Sequence, residues 1–99
     1  MTPDKITSYG KPSPYGSTID IITYNLYSAD WWKGKTALLT KTQENISGDV
    51  IKKGWQVTIL QIMQKKRFNY YIHHGGFAIR DPLGTEIWGV DCYDLILLE

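Results

Sequence analysis

The chain is poor in the residues that most often carry chemistry. It has one cysteine, Cys92, and two histidines, His73 and His74, among 99 residues. A lone cysteine excludes an intramolecular disulfide. With two adjacent histidines it also cannot supply a four-Cys or Cys/His structural zinc site. Neither GxxxxGK[ST] nor GxGxxG occurs, so the glycines make no phosphate-binding loop. No apolar run approaches the roughly 18 residues of a membrane helix, and no internal repeat or low-complexity tract is present. The first residues, MTPDKITSYGKPSPYGS, lack the apolar core of a secretory leader, so a cytoplasmic protein is the expectation; a mature secreted chain would read the same.

What is present is aromatic. Tryptophan stands at 31, 32, 55 and 88, and tyrosine at 9, 15, 24, 27, 70, 71 and 93. A chain of this length supports one hydrophobic core and no second domain. The net charge of +1 conceals a polarity along the sequence: residues 1 to 32 carry −1, residues 33 to 67 carry +6, and residues 68 to 99 carry −4. Folding interleaves these segments, and a mixed-sign surface that keeps strands soluble is the simplest consequence.

Three of the four prolines fall within residues 1 to 16, which read as an extended arm preceding a domain of residues 17 to 99. TIDIITYNLY (18 to 27) is rich in β-branched and aromatic residues and predicts a strand crossing a bulge; a short helix using Ile19, Ile22 and Leu26 after Ser17 is the alternative. Beyond Lys33 the pattern is β. KTALLTK (35 to 41) is a short strand, TQENISGD (42 to 49) a polar loop, and a turn at Gly54 leads into WQVTILQIM (55 to 63). There the alternation of Trp55, Val57 and Ile59 switches face at Leu60 and Ile62. QKKR (64 to 67) predicts a loop and FNYYI (68 to 72) the next strand. In RDPLG, Asp81, Pro82 and Gly84 match a type I turn joining FAIR (77 to 80) to TEIWGV (85 to 90). VDCYD (90 to 94) reads as one turn of 3₁₀ helix, and LILL (95 to 98) as a closing strand buried on both sides.

The fold class expected is therefore all-β, a small barrel of five to six antiparallel strands with a short 3₁₀ turn and an N-terminal arm or extra strand. The VIKKGWQVTIL entry into a long strand, the DPLG hairpin, the GVDCYDL link and the final LILLE together resemble the SH3-like small barrels over about residues 35 to 99. The ALYDY-type motif of peptide-binding SH3 domains is absent, so specificity for proline-rich peptides does not carry over. The first 34 residues fall outside the resemblance and are expected to add a strand or cover one barrel mouth.

Candidate chemistry is sparse. Adjacent histidines on a strand point to opposite faces and do not share a metal ion. Cys92 lies in the 3₁₀ turn, where a small apolar side chain is usual, and reads as a buried inert thiol. Asp91 and Asp94 read as caps and solvated groups rather than an acid–base pair. No catalytic residue, metal or cofactor is expected. The functional expectation is a small non-catalytic interaction module, an accessory or inhibitor protein of the kind phages encode. It would bind a protein partner through Trp31, Trp32, Tyr70, Tyr71, Trp88 and Tyr93. The alternative is a nucleic-acid-binding or regulatory barrel using Lys65, Lys66, Arg67 and Tyr71 of the basic-aromatic stretch 65 to 71. A homodimer is compatible with either reading, and the identity of the partner is not legible in the residues.

Overall fold

The computed structural model describes residues 15–63 and 76–98. The expected QKKR loop, the FNYYI strand, the His73-His74 pair and most of the N-terminal arm lie outside the described residues. Among the described residues two short helices, α1 (Ile21–Leu26) and α2 (Ala29–Trp32), precede seven strands: β1 (Thr36–Leu39), β2 (Gln43–Glu44), β3 (Val50–Ile51), β4 (Gln56–Met63), β5 (Gly76–Arg80), β6 (Glu86–Asp91) and β7 (Leu95–Leu97). A 3₁₀ turn, Cys92–Asp94, joins β6 to β7. The molecule is mainly β, with a five-stranded antiparallel sheet in the order β6-β5-β4-β1-β7 and a two-stranded ribbon of β2 and β3.

The β1–β4 and β2–β3 ladders belong to one hairpin. Continuing the Leu38↔Gln56 pairing outward by five residues on each strand arrives at Gln43↔Ile51, the pair observed. Residues 36 to 58 therefore form a single long hairpin, interrupted where Lys52 O accepts from Trp55 N–H and Gly54 adopts φ 92°. Its tip is closed by Asn45, whose Oδ1 accepts from the backbone of Ser47 and Asp49. Its distal ribbon lies against β6, where Asn45 Nδ2 donates to Glu86 O. The polar turn-rich loop read from the sequence is thus the tip and flank of this hairpin.

Several expectations are met by local chemistry. Asp81 Oδ1 accepts from Leu83 N at 3.0 Å and Thr85 N at 2.8 Å, while Gly84 N donates to Asp81 O. These bonds close the RDPLG turn. The face switch in β4 appears as a register shift between Ile59 and Gln61. A second shift, between Phe77 and Ala78 on β5, falls opposite Gly89, whose φ of 91° favours glycine. Cys92 is fully buried.

The N-terminal segment corrects the sequence reading. Residues 18 to 27 do not form a strand: only Thr18 bridges to β7, opposite Ile96, and the chain then turns into α1. Asp20 caps that helix, its Oδ1 accepting from Thr23 N at 2.7 Å. The helical alternative is the one that forms, with a different face: Ile19 is buried just before α1, but Ile22 and Leu26 are exposed and Tyr24 is the buried residue of the helix. Trp31 and Trp32 occupy a second helix, capped by Ser28. LILL is buried on one face: Leu95 and Leu97 are inaccessible, whereas Ile96 is half-buried and Leu98 exposed.

The two helices pack their buried rings, Tyr24 and Trp32, against Phe77 of β5. Trp32 makes edge contacts with Phe77 and Tyr27 and stacks with Tyr24, and its Nε1–H donates to Tyr24 O. Removing a side chain buried as completely as Trp32 costs about 3–5 kcal/mol. The Tyr24 hydroxyl shares its proton between Met63 O and Gly76 O, both at 2.9 Å. Those two residues are the last described pair of the β4–β5 ladder, so α1 fastens the two strands together at that end.

Candidate functional site

Four of the six aromatic residues expected at a partner surface lie among the described residues, and the structure divides them. Trp32 is removed from any surface because it is core. Trp31 is half-buried and stacks on Tyr27 with ring centroids 3.9 Å apart, while Lys35 Nζ stands 4.2 Å from its centroid. Its ring seals the helical layer. Tyr70 and Tyr71, together with Lys65, Lys66 and Arg67 of the alternative site, lie outside the described residues.

Trp88 and Tyr93 face outward, with 47% and 37% of their surface exposed. Strand alternation determines this for Trp88: Ile87 and Val90 point into the core on either side of it, with Gly89 as the inserted residue. Tyr93 is set by the 3₁₀ turn that follows β6, where Asp91 Oδ1 accepts from Tyr93 N and Cys92 takes the inward position. One continuous strand-and-turn unit thus carries both rings.

The Trp88 ring is held in place. Its Nε1–H donates to Glu86 Oε1 at 3.4 Å, and Glu86 Oε2 accepts from Arg80 Nε at 3.0 Å across the β5–β6 pair. The hydrogen-bonding Arg80 guanidinium holds the Glu86 carboxyl below the usual carboxylate range. A chain of three side chains therefore orients an exposed indole on the edge strand of the sheet.

Trp31 does not join this surface. It contacts Lys35 at one end of β1, while the 3₁₀ turn is bonded to the other end through Thr40 N and Asp94 O. Along a strand those two backbone positions are separated by roughly 16 Å. The pair that sequence reasoning grouped by residue type is divided by the geometry. One exposed ring escaped that grouping: Trp55, 39% exposed, lies at the rim because its strand partner Leu39 already fills the core position beside it.

Among the described residues, three carboxylates near this surface or its turn are engaged in local structure. Asp91 caps the 3₁₀ turn, Asp94 Oδ2 accepts from Gln43 Nε2, and Asp81 closes the β5–β6 turn. Among the described residues no three His, Cys, Asp or Glu side chains are grouped to hold a metal ion. A depression of about 410 Å³ beside β1 and β4 is lined by Thr36, Gln56, Val57, Thr58, Arg80, Asp81 and Pro82, and its carboxylate, Asp81, is the one that closes the β5–β6 turn. No helix of the described residues is long and apolar enough to cross a membrane. Comparison with known families, characterised proteins and solved structures finds no match to this chain.

Proposed function

We propose that this chain is a small non-catalytic interaction module that binds a protein partner through the outward surface of β6 and the 3₁₀ turn, with Trp88 and Tyr93 as its aromatic contacts. The observation that carries this reading is Trp88, an indole left nearly half exposed in a molecule that buries Trp32 completely. Its indole N–H points to Glu86, which Arg80 holds in turn, and this bias lowers the side-chain freedom lost on binding. Tryptophan and tyrosine in such positions are the side chains that most often dominate protein interfaces.

The same reading includes an SH3-like arrangement. It is supported by the order of the five sheet strands, the long hairpin between the first and second of them, and the 3₁₀ link between the fourth and fifth.

The test is an affinity pull-down from native lysate at low and moderate salt, with and without nuclease, using wild type and Trp88→Ala. A protein partner retained through nuclease and salt, and lost with Trp88→Ala, is the expected result. Equal recovery by the variant would remove the aromatic surface from the account.

A further inference from the structure

Away from Trp88, the bend of the long hairpin gathers positive charge. Lys41, Lys52 and Lys53 are all exposed there. Across the hairpin Lys53 meets the residue that follows Lys41, its N–H donating to Thr42 Oγ1 at 3.0 Å. Lys52 and Trp55 are the first and last residues of one β-turn, joined by the Trp55 N to Lys52 O bond, so their Cα atoms lie within about 7 Å. Three ammonium groups and an exposed indole therefore share one corner of the fold.

The ion pairs among the described residues involve Lys33 with Asp30 and Arg80 with Glu86, and none uses these three lysines. Asp94, the carboxylate bonded nearest the bend, is turned towards the Gln43 amide, and Glu44 lies one pair further along the ribbon. We infer that this corner binds single-stranded nucleic acid, with Lys41, Lys52 and Lys53 contacting phosphates and Trp55 stacking on a base. Closely spaced cations attract a polyanion, and a flat exposed ring beside them accepts any base on its π-face. An acidic polypeptide would satisfy the ammonium groups but give the indole no planar partner. This inference is independent of the Trp88 surface and uses none of its residues.

The test is fluorescence anisotropy of a labelled oligo-dT titrated with the full chain over a series of salt concentrations. With three lysines on phosphates, the logarithm of affinity should fall against the logarithm of salt with a slope of about −2. The triple variant K41A/K52A/K53A should flatten that slope. Trp55→Ala should weaken binding about five-fold or more with the slope retained, and Trp55→Phe should restore most of the affinity. Thermal melts of each variant show that the fold is intact before binding is compared. Absence of binding by wild type at low salt would overturn the inference. So would an unchanged slope in the triple variant, which would move binding to other cations such as Lys65, Lys66 and Arg67. Equal competition by polyglutamate with no effect of Trp55→Ala would assign the corner to acidic polypeptides instead.

Discussion

Trp32 and Trp88 are the same residue put to opposite uses. Trp32 sits beneath the helical layer with Tyr24, Tyr27 and Phe77 against it, fully inaccessible. Trp88 stands on the far strand of the sheet with nearly half its surface in water, its nitrogen tied to a carboxylate. The first puts the whole Trp32 ring into stability and leaves none of that ring for recognition. The second does the reverse, because its strand neighbours Ile87 and Val90 already fill the core beneath it. In so small a domain the division matters: a single core supplies only a modest stability margin, so an aromatic side chain left outside it contributes little to folding.

The largest expected effect lies at the buried end. Trp32→Ala should lose about 3–5 kcal/mol, enough to abolish cooperative folding in a marginal domain, as read from denaturant unfolding. A loss below about 1 kcal/mol would erase the contrast between the two tryptophans.

Next is Asp81, which is buried and supports the turn into β6. Asp81→Ala leaves two backbone donors without their acceptor and should cost about 1–3 kcal/mol. Because β6 carries Trp88, this variant should also weaken partner binding, which would link the two regions through one turn. Asp81→Asn, which retains an acceptor oxygen, should recover part of both losses.

A smaller effect follows from Tyr24. Burial pushes its phenol above the ordinary value of 10.0. A raised pKa in the folded state means that the stability contribution is present below pH about 10 and is lost as pH rises through the folded pKa. Tyr24→Phe should therefore lower stability by about 1 kcal/mol at neutral pH and flatten the alkaline decline, measured by urea unfolding between neutral and alkaline pH. An equally steep decline in Tyr24→Phe would place its origin in another group.

How much of this was legible depended on the range of the interactions involved. The RDPLG turn and the 3₁₀ link were readable because Asp81, Pro82, Gly84 and Asp91 act on backbone groups within four residues of themselves. The bulge in β4 was readable from the change of hydrophobic phase at Leu60. A strand was the first reading of residues 18 to 27, with a helix as the alternative, because Ile19, Ile21, Ile22 and Thr23 favour strands intrinsically, whereas Tyr24 is buried against residues distant in sequence. Asp20, three residues before Thr23, was the available signal. The Tyr24 hydroxyl bonds span 39 and 52 residues and leave no local trace. The division of the tryptophans was illegible for the same reason: adjacency of Trp31 and Trp32 says nothing of which ring meets Phe77.

The most direct measurement is the melting temperature of Trp88→Ala taken together with its partner retention. The account predicts a melting temperature within about 2 °C of wild type, as for a surface substitution within about 0.5 kcal/mol, and loss of the retained protein. A drop of about 10 °C or more, or undiminished retention, would contradict it and return Trp88 to the fold.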